Sequence, residues 1–515
     1  MRATTMLCLA GAVGLTTAAA QYAYSQSPYV PAAVFCANGG SVPCSTIPAY
    51  IGADPMLRIA IGYNGILAPP TSKDTDSQTP FDNLSWQSFV GLNWMSGSES
   101  APAPKGLVLE GSRVWQGWAK VNQVFGNSPV QASCANPSNL PVISIGSDGN
   151  GNPSQKNDDY YQASTDVPLI DINGNWTLYE RRLNVTEIAY LAAPGGNPLN
   201  TLMTVAGQDR FISQGNMVAF TASSTDPLGA RGAMELKIAW RLLGASDDAS
   251  RYITEQVLLA VAPDLVSGNQ PICATVTVGM VGMHIIQRNP DYATNTALKP
   301  EWIWSTFEHV DNAPLAQAAC DPATPNGCVN LNQPSCGGAA AGATAASYFT
   351  PASSAPTNTA PTASTTGPAF VWNPTPPYAK GYVEPITVAG QTVYVGPQVV
   401  RCWQVYSLTA QLNAQWQAAL AGSPLANYLL VGTQWGAGVD GARDPYPSDA
   451  VPGLLSNATL ETYIQNNTQP TASGGVGSCI GCHRAATLVD NRTPADFSFL
   501  PSLAAPAPAR LDFAR

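Results

Sequence analysis

One short run near the C-terminal end of the sequence restricts what the chain can fold into more than any other feature. The run is Cys479-Ile480-Gly481-Cys482-His483, in a chain of 515 residues that contains only 11 Cys and 3 His. At those frequencies a Cys-x-x-Cys-His run is expected by chance on the order of 0.001 times. Two thiols at this spacing, followed at once by an imidazole, are typical of haem attached covalently through thioethers. We therefore expect one haem c, bound by Cys479 and Cys482, with His483 as the proximal iron ligand.

Two other uses of the motif agree less well with its surroundings. A zinc site would need further Cys or His ligands at short spacing, and the sequence has none between 403 and 478 or after His483. A redox Cys-x-x-Cys normally opens the helix of a βαβ unit, and no such pattern flanks this one. The motif therefore favours haem over zinc or dithiol chemistry.

A protein ligand for the other side of the iron has to come from upstream, because no Met, His or Cys follows His483. Imidazole is a common iron ligand, and the chain has two further histidines, His284 and His309. We expect His284, or failing that His309, to bind the iron. The alternatives are an open sixth position or a methionine, and the methionines concerned are Met217, Met280 and Met283.

His284 ends a long β-rich run and has a suitable setting for this role. Met280, Gly282, His284 and Ile286 alternate along the run, so a regular strand would present them on one face. Because Gly282 has no side chain, it would let the flat haem approach the backbone closely.

His309 lies in an acidic setting that favours proton handling over ligation. Glu308, His309 and Asp311 are therefore candidate catalytic residues, either orienting the ring or acting as acid–base groups beside a haem. On a strand, however, Glu308 would point away from His309. A purely structural polar cluster is an equal alternative.

Hydrophobic periodicity predicts several strands and a few helices. Runs of alternating or β-branched residues predict strands at 234–241, 274–287, 301–310 and 428–431, and the second and third could be antiparallel neighbours. Apolar residues at helical spacing predict helices at 86–94, 114–125 and 408–420.

Composition narrows the fold and function classes further. Charged residues make up only 11% of the chain, and Gly and Pro number 45 and 44, which predicts many turns and argues against long helical bundles. The formal net charge of −10 argues against nucleic-acid binding. We expect an α+β fold, with a β-rich body, few helices and a C-terminal haem-binding segment docked on the body.

The chain divides into four parts by composition. Residues 1–20 read as a Sec-type bacterial signal peptide, which predicts a periplasmic or secreted protein, and no later apolar run is long enough to span a membrane. Residues 21–336 would form the β-rich body. Residues 337–370 are low in complexity and predict a loosely held loop or linker. Residues 371–515 form the C-terminal part, with haem attachment within 471–515.

The remaining cysteines predict disulfides. Eight cysteines lie outside both the haem motif and the predicted signal peptide, an even number in a chain expected to be exported. We expect at least two bridges, with Cys320–Cys328 the favoured pair and Cys36–Cys44 a second local candidate.

Several long segments resemble a family of large bacterial proteins described as cytochrome c family proteins. These segments are WQSFVGLNW, RVWQGW, VGMVGMHI, WIWSTFEHVDN, LNAQWQAAL, SCIGCHRAA and ADFSFL. The resemblance implies an exported protein with one haem c, held by Cys479, Cys482 and His483, that carries electrons.

Electron transfer through this haem is therefore the expected function, and the partner would be a redox protein or a small-molecule electron donor or acceptor. Two alternatives stay open. The first is a haem-dependent oxidoreductase of the peroxidase or oxygenase kind with an open distal site, because the chain is far larger than electron carriage requires. The second is a binding module in which the haem is mainly structural.

Overall fold

The structure is a computed structural model that describes most of the chain beyond residue 77. The described residues are 78–94, 112–162, 165–222, 232–288, 302–321, 336–351, 356–362, 370–379, 385–388, 391–394, 396–436, 454–465 and 478–505. The predicted signal peptide and the cysteines Cys36, Cys44 and Cys328 lie outside them. Within the described part of the chain, no helix is both long and apolar enough to cross a membrane.

The fold is α+β, β-rich with few helices, as the sequence predicts. The helices of the described part are α1 (Gln78–Leu92), α2 (Val121–Phe125), α3 (Val185–Ala192), α4 (Val205–Ser213), α5 (Ser407–Ala419) and α6 (Cys479–His483). The strands are β1 (Ala119–Lys120), β2 (Val142–Ile145), β3 (Leu178–Leu183), β4 (Met234–Leu242), β5 (Thr254–Val261), β6 (Ile272–Arg288), β7 (Trp302–His309), β8 (Leu315–Cys320), β9 (Pro385–Val388), β10 (Gln391–Tyr394), β11 (Arg401–Trp403) and β12 (Tyr428–Gly436).

One sheet of eight strands dominates the described structure, and the long strand β6 lies at its centre. β6 pairs antiparallel with β4 along one edge, and with β5 and then β7 along the other. The order β1-β3-β4-β6-β5-β2 continues outward, and β12 pairs antiparallel with β7. Small two-stranded sheets join β9 to β10 and β8 to β11.

The strongest sequence patterns are confirmed. β4, β6, β7, β12 and α5 lie where alternation or helical spacing predicts them, and β6 and β7 are antiparallel neighbours. The single helix expected over 114–125 is wrong. Lys120 is drawn to the sheet edge by Asp158 and Glu180, at 2.8 and 3.0 Å, so the chain is extended at β1 and only 121–125 is α-helical.

Helices α1 and α5 cover one face of the sheet, which we call the helix face. Trp86 of α1 stacks on Trp416 of α5, with ring centroids 5.8 Å apart, and meets Phe307 of β7 edge-on at 5.1 Å. Met283 of β6 is fully buried in the same core. Aromatic pairs of this kind add stability beyond their buried area, so this layer is the main apolar core.

The other face carries polar side chains and is covered by two C-terminal segments, 454–465 and 478–505. We call it the motif face, because α6 lies on it. Ile286 of β6 and Trp304 of β7 pack here with Ile480 of α6 in a second apolar cluster. The C-terminal segment is therefore docked on the sheet, as expected.

The two predicted parts on either side of 337–370 share one sheet and one core. From residues 371–515, β12 pairs with β7 in the sheet, and α5 packs with α1 in the main apolar core. In the described residues of 337–370, Tyr348 is fully buried and its hydroxyl is 2.9 Å from that of Thr177. The described residues around Tyr348 and Phe349 pack on the body through these aromatic side chains.

The expectation of at least two disulfides is confirmed. Cys134 is bonded to Cys273, and Cys336 to Cys402. Cys320 is also disulfide-bonded, and its predicted partner Cys328 lies outside the described residues.

A pair of buried carboxyl groups lies where α3 meets the motif face. Burial raises the pKa of Glu187 well above its usual 4.5, and the neighbouring Glu235 carboxyl raises it further. Neither carboxyl oxygen of Glu187 finds a donor in the described structure. Because burial raises the pKa of both Glu187 and Glu235, at least one of the two carboxyls keeps a proton.

This pair predicts a stability loss at high pH. With a raised pKa, the native protein holds a proton that the unfolded chain has released, so the free energy of unfolding falls as pH rises above 4.5, by about 1.4 kcal/mol per pH unit for one proton. Glu187→Gln should remove this slope in urea unfolding measured from pH 5 to 8. Asp209→Asn, at an exposed carboxylate on α4, should keep it. An unchanged slope in Glu187→Gln would contradict a raised pKa of Glu187.

Candidate functional site

The Cys-x-x-Cys-His motif forms the single helical turn α6. Ser478 caps the turn by accepting a hydrogen bond from the Gly481 amide at 3.2 Å, and its hydroxyl is 3.1 Å from the Gln434 side-chain oxygen of β12. Cys479 and Cys482 are thiols rather than a disulfide. Burial raises the pKa of the Cys479 thiol well above its usual value. The turn therefore presents two thiols next to His483, and the Cys479 thiol is protonated at neutral pH.

His483 is held in one tautomer. Its Nδ1 lies 2.8 Å from the Phe497 carbonyl oxygen, and because a carbonyl only accepts, Nδ1 carries the proton and Nε2 keeps a lone pair. Burial lowers the pKa of His483 to about 4, although the bond to Phe497 opposes this. Trp304 and Phe499 flank the ring, with centroids 5.4 and 5.1 Å away. The imidazole is neutral and oriented, as a metal ligand must be.

His284 shows the same one-sided pattern. It lies on β6, directly opposite Lys237 of β4 and Thr306 of β7. Its Nε2 is 2.8 Å from a carboxylate oxygen of Glu461, while its Nδ1 is buried and has no hydrogen-bond partner in the described part of the chain. One ring nitrogen is thus fixed by an acceptor and the other is unsatisfied.

Glu461 reaches His284 from a turn that is anchored on the sheet. The Asn457 amide donates to the second Glu461 oxygen at 3.0 Å, and the Asn457 side chain donates to the Phe307 carbonyl at 2.9 Å. Burial alone would raise the pKa of Glu461, but its interaction and hydrogen bond with His284, together with the charge of Lys237, lower the pKa below its usual value. Glu461 is therefore a carboxylate at neutral pH.

Gly282 makes room for this turn rather than for a flat cofactor. A Cβ at Gly282 would lie 2.6 Å from the Thr459 hydroxyl and 3.2 Å from the Asn457 side-chain oxygen. The expectation that the glycine admits a macrocycle is wrong, because residues 457–459 already occupy that space.

Lys237, His284 and Glu461 form what we call the polar cluster, and it is electrostatically linked to the motif. All three act on the pKa of His483. Glu461 also acts on Cys479, and Cys482 acts on Lys237. The motif face therefore brings two of the three histidines together with both thiols.

His309 lies elsewhere and has both ring nitrogens engaged. Its Nε2 is 3.0 Å from the Arg251 carbonyl oxygen, and its Nδ1 accepts from the Asp311 amide at 3.2 Å. The ring stacks on Tyr252, with centroids 4.1 Å apart, and is fully buried. His309 is thus a structural residue at the end of β7, and it leaves no lone pair for a metal.

The acidic neighbours of His309 are engaged in ion pairs. Glu308 is buried and accepts from Arg401 at 2.7 Å and from the Ala458 amide. Asp311 is partly exposed and pairs with Arg251 at 2.7 Å. Neither contacts the motif, so the arrangement favours the structural alternative for this cluster.

The methionine candidates lie on the helix face or at the surface. A bulge opposite Ala239 and Trp240 shifts the register of β6, so Met280 turns to the helix face, where Met283 also lies. The expectation that Met280 shares a face with His284 is wrong for this reason. Met217 is 63% exposed.

Sequence reasoning missed Glu461, Lys237 and Phe497. The position of Lys237 could have been predicted, because it alternates with apolar residues in the predicted strand 234–241 and so lies on the opposite face from them. The contacts of Glu461 and Phe497 depend on how separate segments dock, which no local pattern encodes.

Two further findings bear on the site. Within the described ranges, no three His, Cys, Asp or Glu side chains are grouped so as to hold a metal ion. Comparison of the chain with protein-family models, curated proteins and solved structures found no match.

The buried neutral state of His309 predicts a stability defect and a change of pH dependence. His309→Leu leaves the Arg251 carbonyl and the Asp311 amide without partners and should cost about 2–4 kcal/mol of unfolding free energy at pH 7. Burial lowers the pKa of His309 to about 4 from 6.5. Between these values the unfolded chain binds a proton that the native state does not, so stability falls as pH falls.

The variant should lose this contribution, about 1.4 kcal/mol per pH unit, in denaturant unfolding measured from pH 7 to 4. Equal stability and equal slope in parent and variant would show that His309 has no structural role.

Proposed function

We propose that the protein is a mono-haem c-type cytochrome that transfers electrons. The observation that carries the proposal is the state of the three histidine rings. His284 has one nitrogen fixed by Glu461 and the other buried without a partner among the described residues. His483 donates from Nδ1 to the Phe497 carbonyl, which leaves the lone pair on Nε2, whereas His309 uses both nitrogens. A metal-ligating imidazole has the first pattern, because the second nitrogen must keep its lone pair for the metal.

The residues present fit a covalently attached haem. Cys479 and Cys482 would hold it as thioethers, His483 would be the proximal ligand and His284 the distal ligand. Two buried polar atoms on the motif face support this fit, since His284 Nδ1 and Trp304 Nε1 have no partner in the described structure. The bound haem would supply a one-electron ferric–ferrous couple.

The protein's own residues would orient the ligands and exclude water. Phe497 fixes the His483 ring through its carbonyl oxygen, and Trp304, which is 1% exposed, packs against that ring. Apolar packing around a ligand keeps solvent away and limits the change in solvation when the charge changes.

The proposal includes the cellular compartment of the protein and its redox partner. The disulfides Cys134–Cys273 and Cys336–Cys402 are typical of an oxidising compartment, which agrees with a periplasmic or secreted protein. A redox protein or a small-molecule donor or acceptor would exchange electrons with the haem. The sequence resemblance to cytochrome c family proteins supports the same function.

A haem-dependent oxidoreductase is the second candidate. The hydrogen bond between His284 and Glu461 favours it, because a histidine–carboxylate pair can accept and donate protons. In that case His284 would leave the sixth position of the iron open.

Covalent haem attachment is the first test. Protein matured in a bacterial periplasm should keep haem colour on a denaturing gel and should exceed the mature polypeptide by the mass of one haem. The Cys479→Ala/Cys482→Ala double variant should lose both signals, while Cys134→Ala/Cys273→Ala, which also removes two cysteines, should keep the haem. A colourless parent that carries zinc would refute the proposal.

The spin state tests the distal ligand. The parent should be low-spin and six-coordinate, and His284→Ala should become high-spin and bind carbon monoxide, because it frees one axial position. His309→Leu should keep the parent spectrum. A parent that is already high-spin and binds cyanide would favour the oxidoreductase, and an unchanged spectrum in His284→Ala would exclude His284 as ligand.

A further inference from the structure

The two histidines of the motif face differ in the charge of the group that fixes them. His483 donates to the neutral Phe497 carbonyl, whereas His284 donates to the Glu461 carboxylate. A charged acceptor binds the ring N–H more strongly than a neutral one and increases the electron density on the other nitrogen. The two sides of the proposed haem are therefore not equivalent.

The turn that carries Glu461 is built with many polar contacts. Besides the bonds of Asn457, the Ala458 amide donates to buried Glu308, and the Thr462 hydroxyl donates to the Ala458 carbonyl at 2.6 Å. Gln162 donates to the Thr459 carbonyl at 3.1 Å. These bonds tie the turn to β7 and to the body on both sides of Glu461. Its carboxylate is thus held in place rather than free to sample other positions.

Both oxygens of this carboxylate are used. One accepts from His284 and the other from the Asn457 amide, and the nearby Lys237, directly across from His284 on β4, interacts with it through its charge. A buried carboxylate is costly unless it is paired and hydrogen-bonded, and these partners supply that compensation. Arg181 and Asp159 also act electrostatically on Lys237.

We infer that Glu461 is a positioning residue that orients His284 toward the iron and lowers the reduction potential of the haem. The carboxylate fixes the tautomer of His284, so that the nitrogen without a partner keeps its lone pair. Its negative charge favours the ferric state, which carries one more positive charge than the ferrous state. This inference rests on the proposed haem function and adds to it a residue that sets the potential.

The test compares Glu461→Gln with Glu308→Gln. Each variant replaces a largely buried carboxylate that accepts a hydrogen bond from a backbone amide of the 457–461 turn. Only Glu461 also contacts His284. Spectroelectrochemical titration should show that Glu461→Gln shifts the ferrous-to-ferric equilibrium at least tenfold toward ferrous, about 59 mV for one electron. Glu308→Gln should stay within threefold of the parent. The ferric electron paramagnetic resonance signal should change in Glu461→Gln alone.

Glu461→Asp supplies a second variant in case the amide disturbs folding. It keeps the charge on a side chain shorter by one methylene, and its potential should lie between those of parent and Glu461→Gln. An unchanged potential and resonance signal in a Glu461 variant that still carries covalent haem would overturn the inference alone. A parent without haem on the denaturing gel would overturn the proposed function instead.

Discussion

The pairing of β6 with three other strands is the constraint on which the rest of the structure depends. β4 binds one edge of this strand, and β5 and β7 share the other, so the position of each side chain on β6 fixes the layer that it enters. One bulge near Gly282 resets the alternation. It sends Met280 and Met283 into the core under α1 and leaves His284 on the motif face. The side chains of β6 thus contribute to the apolar core on the helix face and to the polar cluster on the motif face.

The covering segments supply hydrogen-bond partners to several buried polar groups of the motif face. Buried polar groups need hydrogen-bond partners, and the turn at 457–462 provides them for Glu308, His284 and Thr306 through short, specific contacts. The 478–505 segment contributes instead an apolar contact against Trp304 and Ile286. The candidate site thus lies between the 457–462 turn, which makes polar contacts with the sheet, and the 478–505 segment, which makes apolar contacts with it.

Local patterns predicted much of the fold and the motif but less of the site around it. Strands β4, β6 and β7 could be predicted because burial of a strand face requires apolar or β-branched residues at regular positions, and this pattern is visible in the sequence. The bulge in β6 has no comparable signal, so strict alternation predicts the wrong face for Met280. The roles of His309 and Glu461 depend on contacts with Arg251 and His284, far away along the chain, and tertiary packing alone decides them.

The packing of α1 against α5 and β12 has a consequence for the order of folding. Phe81 stacks on Trp435, with ring centroids 3.9 Å apart, and Trp86 lies against Trp416, so the first described helix is completed by segments more than 300 residues later. A chain made from its N-terminus exposes α1 long before these partners exist. High contact order of this kind slows folding, so the apolar surface of α1 needs protection until nearly the whole sheet has been synthesised.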